Sequence, residues 1–180
     1  PTGGWAFEYE NENYPDVDDT AEVIMALRRA NVPSAGPAIS RGVAWTLGMQ
    51  CEDGGWAAFD AENTRELCRA PAFCDFGEVI DPPSADVTSH VMEALGQLGY
   101  GHDFPPVARA YKFIRGEQEE EGCWFGRWGV NYIYGTWLAL TGLRSVGENM
   151  SEPRYQKAVE WLRSHQNEDG YFEIVESHLI

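Results

Sequence analysis

Basic residues are scarce in this 180-residue chain, which has 13 Lys and Arg against 29 Asp and Glu and a net charge of −16. Phosphate backbones are bound through Lys and Arg, so this balance argues against nucleic acid as a partner. No apolar run approaches the roughly 20 residues that a membrane-spanning helix needs. No C-x-x-C pair occurs, which favours neither a zinc knuckle nor a disulfide scaffold and predicts buried, reduced thiols. The four cysteines are Cys51, Cys68, Cys74 and Cys123.

Aromatic residues, by contrast, are abundant, with seven Trp, eight Tyr and eight Phe in a chain that is 43% hydrophobic. Disordered and linker segments contain few aromatics, and a chain of this length can bury one ordinary core. The composition therefore predicts one globular domain over residues 1–180.

A repeated Gly-x-aromatic element organises the chain. Gly3-Gly4-Trp5 recurs as Gly54-Gly55-Trp56 and Gly122-Cys123-Trp124, and in weaker form as Gly170-Tyr171-Phe172. A glutamine stands four residues before the first glycine of each of the last three copies. Amphipathic runs flank these elements, which predicts an all-α fold of stacked helix pairs. The predicted helices cover residues 20–30, 39–49, 87–99, 107–117, 130–146 and 155–165.

Helix pairs with glycine-rich turns and short connections suit closure into an α/α barrel. The predicted helices supply about half of a typical barrel of about twelve helices, so we expect a partial barrel. Helical periodicity also predicts which faces are buried. The predicted buried faces are Val23, Ala26, Leu27 and Ala30 in one helix, and Val91, Ala94, Leu95 and Leu98 in another.

Three acids stand together at the entrance of the first predicted helix, in the run Tyr14-Pro15-Asp16-Val17-Asp18-Asp19-Thr20-Ala21-Glu22. Pro15 disfavours helix at Tyr14, and Asp16 or Asp18 can cap the first free N–H groups. A cap needs one acid, and three like charges repel each other. The excess suggests chemistry, although acids near a helix N-terminus are also common stabilisers.

Alignment of three helices on Ala26-Leu27, Ala94-Leu95 and Ala139-Leu140 places polar residues at equivalent first turns. If these helices line a ring, the polar groups converge on one end of a common cavity. The aligned sets are Asp18, Asp86 and Asn131; Glu22 and His90; and Ala21 and Tyr134.

Asp86 and His90 are spaced i and i+4, which allows two interpretations. They can form a local stabilising pair on one helical face. Alternatively, His90 lies in the cavity and hydrogen-bonds one of the aspartates, which the repeat alignment supports. Cys74 and Asp75 could join His90 as metal ligands, but no spacing rule supports that set, so no metal site is predicted.

These motifs resemble the squalene–hopene cyclase family of class II triterpene cyclases. Residues 16–21 match the signature D-x-D-D-T-A, and the Gln-x-x-x-Gly-x-Trp elements match the family's repeats. The resemblance includes residues 73–78, 81–84 and 124–132. Oxidosqualene cyclases have a single catalytic Asp followed by Cys-Thr-Ala, so the Asp18-Asp19 pair points to squalene as the substrate.

The resemblance implies an α/α-barrel enzyme, an isomerase or hydro-lyase, that cyclises squalene to hopene or hopanol without metal or organic cofactor. It also implies a bacterial homodimer bound monotopically at the cytoplasmic side of the inner membrane. Family chains are several times longer, with a second barrel. We therefore expect the segment to hold half of an active site and to be inactive in isolation.

The resemblance also assigns roles to single residues. Asp18 falls on the proton donor, Asp16 and Asp19 on its flanking acids, and His90 on the histidine that pairs with the donor. The remaining matches are Tyr134 in the surrounding hydrogen-bond network, Asp81 and Asp86 as supporting acids, and Phe7, Trp56, Phe59, Trp128 and less closely Trp124 as cavity aromatics.

The tryptophans have a plainer interpretation, because Trp in a Gly-x-Trp repeat is more often a packing element than a ligand contact. That alternative applies to Trp56 and Trp124, whereas Trp128 stands outside the strict repeat and is the better cavity candidate. Phe59 stands where some members of the family have tyrosine.

Three other functions fit parts of the pattern. A carbohydrate-active α/α toroid would use paired carboxylates as acid and base and stack Trp on sugar rings. A prenyltransferase-like subunit would share the barrel but need zinc. A non-catalytic helical-repeat scaffold would fit the fold and leave the acid cluster unexplained.

Overall fold

The computed structural model describes residues 3–8, 10–11, 13–62, 81–129 and 131–172. Cys68, Cys74, Asp75 and the motif at 73–78 lie outside these residues. The described residues form six α-helices and no strand, which confirms the predicted all-α fold. The helices are α1 (Val17–Ala30), α2 (Gly36–Gly48), α3 (Ala85–Gln97), α4 (Pro105–Gly116), α5 (Asn131–Ser145) and α6 (Pro153–Ser164).

The helices form two rows. α1, α3 and α5 lie side by side, with α3 in the middle, and each is backed by the helix that follows it in the chain. The core between the rows contains large side chains that are fully buried, among them Trp56, Met92, Leu95, Trp124 and Tyr155. Because α1, α3 and α5 run in the same direction, their N-termini come together at one end of the row.

Local sequence explains where the helices begin. Asp16 caps α1, and its carboxylate accepts hydrogen bonds from the N–H groups of Asp18 at 2.7 Å and Asp19 at 3.1 Å. The backbone N–H of Val17 donates to the carbonyl of Ala58 at 2.8 Å, which ties this helix entrance to the loop before α3. α2, α4 and α6 each begin with proline in the first turn, where its missing N–H has no helical partner.

The predicted buried face is confirmed for α3 and wrong for α1. In α1 the buried apolar residues are Val17, Ala21, Ile24 and Met25, whereas Ala26 and Ala30 are exposed. α1 has small and apolar residues on more than one side, so periodicity alone admits several faces. The positions of α2 and α3 select the face that is buried, and Gly42 of α2 lies directly against Ile24.

The repeated element joins neighbouring helix pairs. In each of three copies, the backbone N–H of the tryptophan donates to a threonine hydroxyl in the first turns of the next inner-row helix. Where the indole N–H bond is described, it reaches back to a carbonyl in the preceding outer helix, Thr46 for Trp56 and Ile114 for Trp124, each at 2.7 Å. The N–H to hydroxyl pairs are Trp5 to Thr20 at 2.8 Å, Trp56 to Thr88 at 2.9 Å and Trp124 to Thr136 at 2.9 Å.

These threonines correct the alignment of α5. Tyr134 stands two residues before Thr136, as Asp18 stands two residues before Thr20. Tyr134 is therefore the structural equivalent of Asp18, and the predicted equivalence of Asn131 is wrong by about one helical turn. The alignment relied on an Ala-Leu pair, which fits an apolar helix in several registers, whereas the hydrogen bonds admit one.

The first glycine of three of the four elements, Gly3, Gly54 and Gly122, is required by a close approach. Gly54 has φ +97°, and a Cβ there would lie 2.6 Å from the carbonyl oxygen of Arg109 in α4. Both the left-handed backbone and the contact exclude a side chain.

Gln118, like Gln50, makes three side-chain hydrogen bonds, and we predict that Gln118→Ala lowers the free energy of unfolding by about 2–3 kcal/mol. Its amide donates to the carbonyls of Gly122 at 2.8 Å and Arg154 at 3.0 Å, and its oxygen accepts from Arg154 Nε at 2.8 Å. Urea denaturation of the intact protein measures the loss. Gln166→Ala is the matched control, because among the described residues the side-chain amide of Gln166 bonds only Gly170 O, on the surface. Equal losses of unfolding free energy in the two variants would contradict the role of Gln118 in joining helix pairs.

Cys51 and Cys123 are free and buried, as predicted for reduced thiols. Within the described ranges, no helix is both long enough and apolar enough to cross a bilayer.

Candidate active site

A cleft of about 360 Å³ opens at the N-terminal ends of the inner-row helices. Acids from the entrance of α1 form one side, and aromatic side chains from the loops before α3 and α5 form the other. The lining residues are Phe7, Asp16, Asp18, Asp19, Ala58, Phe59, Trp128 and Tyr134.

Asp18 and His90 meet across the boundary between α1 and α3. His90 Nδ1 is hydrogen-bonded to Asp18 Oδ1, and His90 Nε2 lies 3.2 Å from a carboxylate oxygen of Glu22. The imidazole is buried, with 4% of its surface exposed. The prediction that His90 bonds one of the aspartates is therefore confirmed, and the partner is Asp18; the charge of Asp86 also acts on the ring from one turn away.

The environment favours the charged form of His90. Burial alone disfavours the imidazolium, but the hydrogen bond that His90 donates to Asp18 and the negative charges of Asp18, Glu22 and Asp86 outweigh it. The pKa of His90 is therefore raised above its usual value.

The two acids that flank Asp18 have raised pKa values, whereas a carboxylate paired with a cation has a lowered one. Burial, together with the charges of Asp19 and Asp18, raises the pKa of Asp16 to about 6, although two backbone N–H groups favour its ionised form. Burial and the charges of Asp18 and Glu22 also raise the pKa of Asp19. The cleft thus keeps protons on carboxyl groups at a higher pH than water does.

Tyr134 completes this side of the cleft from α5. Its ring meets the His90 ring edge to face, with centroids 6.2 Å apart. Burial and the charges of Asp18, Asp86 and Glu22 raise its pKa, so the phenol remains protonated.

Two buried acids accept hydrogen bonds from the backbone N–H groups of the aromatic residues in the cleft. Asp86 accepts from the N–H of Trp128 at 2.8 Å, and Asp81 accepts from the N–H of Phe59 at 2.8 Å. Asp86 is itself fixed by the hydroxyl of Ser84 at 2.5 Å. Burial raises the pKa of Asp81, although the N–H of Phe59 and the charge of Arg127 favour its carboxylate. Neither acid lines the cleft, so both act through the residues that they hold.

The aromatic side chains pack on one another. Phe59 and Trp128 meet edge to face with centroids 5.9 Å apart, and Tyr14 covers the other side of Phe59 at 4.9 Å. The guanidinium of Arg127 lies 5.8 Å from the Trp128 ring centre. Phe7 also lines the cleft, but 80% of its surface is exposed.

Trp56 and Trp124 are not part of the cleft. Both are completely buried between the two rows, where their indole N–H groups bond the outer helices. The prediction of Trp56 as a cavity aromatic is therefore wrong, and the packing interpretation is confirmed for both residues. Trp128, which precedes α5 outside the repeat, does line the cleft as predicted.

Sequence analysis aligned Glu22 with His90 among the polar residues expected at the cavity but gave it no role, and it did not single out Tyr14 or Arg127 as site residues. The i+4 spacing of Glu22 from Asp18 places both acids on one helical face, which could have indicated that role. The contacts of Tyr14 and Arg127 depend on how two loops meet, which no spacing reveals. Among the described residues, no group of three or more His, Cys, Asp or Glu is arranged to hold a metal ion.

The raised pKa of Asp16 has a measurable consequence for stability. Its folded-state pKa of about 6 exceeds the ordinary aspartate value of 3.8, so the folded protein binds the proton more tightly. The contribution of Asp16 is therefore present below about pH 4 and is lost as the pH rises to about 6, by up to about 3 kcal/mol.

We predict that Asp16→Asn reduces this fall in stability between pH 4 and 6, because asparagine still caps the helix without ionising. Denaturant unfolding of both proteins at pH 4, 5 and 6 gives the difference in slope. Parallel slopes would show that Asp16 does not titrate in this range.

Comparison with known proteins identifies the family. A model of the squalene–hopene cyclase C-terminal domain matches residues 1–178. This chain belongs to the squalene–hopene cyclase family. The squalene–hopene cyclases of Zymomonas mobilis and Alicyclobacillus acidocaldarius are 46% and 48% identical to it, over 93% and 81% of the chain. A dammaradiene synthase of Dryopteris crassirhizoma is 42% identical over 91% of the chain.

The chain spans about a quarter of the length of these relatives, at 26%, 24% and 26% respectively. The type II terpene cyclase MstE from Scytonema has the same fold, with a TM-score of 0.72 and 21% identity over 97% of this chain and 47% of that protein. The six helices are thus part of an α/α barrel of the terpene cyclase type. Membership of this family favours terpene cyclisation over the carbohydrate-active, prenyltransferase and scaffold alternatives.

Proposed function

We propose that the intact protein cyclises squalene to a pentacyclic hopene or hopanol, and that Asp18 starts the reaction by protonating a terminal alkene. The observation that carries the proposal is the hydrogen bond between Asp18 and the buried His90 at a cleft with one acidic and one aromatic side. A lone aspartate cap would need neither the imidazole nor the aromatic wall.

Alkene protonation needs a carboxyl group that is both protonated and strongly acidic. An ordinary Asp has a pKa of about 3.9 and is ionised at neutral pH. The proposed reaction therefore starts from Asp18 in its protonated form. When the O–H bond of Asp18 breaks and the alkene π electrons form the new C–H bond, the carboxylate left behind is stabilised by the His90 imidazolium.

The two carboxyl oxygens of Asp18 have different roles in the proposed reaction. Oδ1 is occupied by His90, so Oδ2 carries the proton that is transferred to carbon. The π electrons of the next alkene then attack the tertiary cation, and the positive charge moves along the folded chain as each ring closes. The last cation loses a proton to give hopene, or takes up water, which then loses a proton, to give hopanol.

Phe59 and Trp128 are placed to meet that charge. Aromatic faces attract cations at about 0.5–2 kcal/mol per desolvated contact and offer no basic atom that would remove a proton early. Their packing also helps to exclude water, which would otherwise trap the cation. The hydrogen bonds from Asp81 and Asp86 fix the backbones of these residues, which limits how far the rings can move.

The names of the relatives support a polyprenoid substrate for this protein and are compatible with more than one product. Two of them are named squalene–hopene cyclases, and a third is named a dammaradiene synthase. The Asp18-Asp19 pair favours squalene over oxidosqualene by resemblance. We also propose, on the same resemblance, that the intact protein is a homodimer bound to the cytoplasmic face of a bacterial inner membrane.

The proposal is tested by incubating the intact protein with squalene in detergent, without added metal, and identifying the products by gas chromatography and mass spectrometry. We expect pentacyclic hydrocarbon and alcohol. A protein that is folded and leaves squalene unchanged would overturn the proposal. Dammaradiene as the main product would preserve the initiation step and overturn the assigned product.

A further inference from the structure

The imidazole of His90 is held from both sides by carboxylates of one helix. Its Nδ1 is bonded to Asp18, and its Nε2 lies 3.2 Å from a carboxylate oxygen of Glu22. The proposed reaction uses only the first contact. Glu22 reaches His90 from α1 although 52% of its side chain remains exposed, whereas the imidazole is almost completely buried.

Helix geometry explains how one ring contacts two acids. Asp18 and Glu22 are four residues apart, so their side chains project from the same face of α1 one turn apart. The helical pitch of about 5.4 Å allows an imidazole from α3 to stand between them, with one nitrogen toward each. The arrangement depends on the spacing of the acids and on the position of His90 at the facing turn of α3.

Two carboxylates at the two ring nitrogens favour one protonation state. Only the imidazolium carries N–H groups on both nitrogens, whereas a neutral imidazole directs a lone pair at one of the acids. A lone pair facing a carboxylate is repulsive, so each acid favours the doubly protonated ring. Glu22 can apply this bias from the solvent side and remain hydrated.

We infer that Glu22 is a positioning residue that holds His90 as an imidazolium through Nε2, so that Nδ1–H stays directed at Asp18 throughout the reaction. This inference rests on the proposed function of the same site. It assigns Glu22 no contact with substrate, because Glu22 does not line the cleft. Its effect on catalysis passes through His90.

The effect of Glu22 on the protonation of His90 can be measured separately from the effects of the other ionisable groups around the ring. From α1 the ring faces Asp18 and Glu22 and interacts with the charge of Asp19, and from α3 itself it interacts with the charge of Asp86. From α5 it faces Tyr134, whose phenol is neutral. Asp18 and Asp86 have other roles in the site, so Glu22 is the acid whose charge can be removed with the least disturbance.

The test is Glu22→Gln in the intact protein, with Glu93→Gln as the matched control. Glutamine keeps an oxygen that can accept from Nε2–H and removes the charge. Glu93 lies one turn from His90 on α3, where it bonds Arg29 at 3.3 Å and Gln97 at 2.9 Å, both away from the imidazole. The control therefore removes a nearby acid without changing the contacts of His90.

Two measurements decide the outcome. The alkaline limb of the kcat/KM profile with squalene is expected to move down by about 0.5 pH unit in Glu22→Gln, the size typical of a partly exposed charge pair. We expect kcat to carry the change, with KM unaltered. The second measurement is the titration of His90 itself, followed by NMR of ring-labelled histidine and assigned through His90→Asn.

The expected result is a lower His90 titration midpoint in Glu22→Gln, partial recovery in Glu22→Asp and no change in Glu93→Gln. An identical His90 titration in wild type and Glu22→Gln would overturn the inference, whatever the activity. If the wild-type protein cyclises no polyprenoid, the proposed function fails, and the titration still decides whether Glu22 holds the imidazolium.

Discussion

Asp18→Asn in the intact protein is expected to lower squalene cyclisation by at least about 10³-fold, at the upper end of what positioned acids contribute. Asparagine is nearly the same size and can accept the hydrogen bond from His90, but its amide has no proton that it can transfer to carbon. Its helix position still suits a polar side chain near the N-terminus. The fold is therefore expected to remain intact, so the loss reports the missing acid.

The measurement is product formation from squalene at matched protein concentration, with thermal unfolding of both proteins as the check on folding. Asp103→Asn, at an exposed acid in the turn between α3 and α4, is the control for losing one negative charge. Cyclisation by Asp18→Asn at more than about a tenth of the wild-type rate would remove Asp18 as the initiating acid.

Alanine at Trp56 and at Trp128 is expected to give opposite outcomes. Trp56 is completely buried and bonded to Thr46, so Trp56→Ala is expected to cost about 3–5 kcal/mol of unfolding free energy. Trp128 is 37% exposed and lines the cleft, so Trp128→Ala is expected to cost about 1 kcal/mol of stability and to lower kcat/KM about tenfold.

Denaturant unfolding and steady-state kinetics of the two variants test this contrast. Activity must be expressed per folded molecule, since Trp56→Ala lowers the amount of native protein. A stable Trp56→Ala protein with a lowered kcat would indicate that Trp56 acts in the cavity and not in packing. A strongly destabilised Trp128→Ala protein would indicate that Trp128 is mainly a packing residue.

Much of this fold could be predicted from sequence because it is built by local rules that repeat. Proline or an acid marks each helix entrance described above, and the Gly-x-Trp element returns at every helix pair. The meeting of Asp18 and His90 followed from that repeat, because equivalent turns of adjacent parallel helices must lie at the same end. The D-x-D-D-T-A resemblance then supplied roles that geometry alone does not give.

The features that the sequence analysis missed all depend on contacts between parts of the chain that are distant in sequence. The buried side of α1 is selected by where α2 and α3 lie, and the register of α5 is set by the hydroxyl of Thr136 rather than by apolar residues. Trp56 faces the core because its indole N–H finds a carbonyl in α2. Hydrogen bonds to backbone N–H groups, such as that from Trp128 to Asp86, leave no trace in residue spacing.

The carboxylate of Asp86 has one oxygen on Ser84 and the N–H of Val87 and the other on Trp128, and its charge acts on His90 one turn further along α3. Asp86 therefore holds the backbone of Trp128 and also contributes to the charge around His90. We expect a substitution that shifts Trp128 to change the charge around His90 as well. Attempts to alter product choice would be safer at Phe59, whose backbone is held by a different acid, Asp81, although Asp81 also lies 3.7 Å from Arg127 Nε beside Trp128.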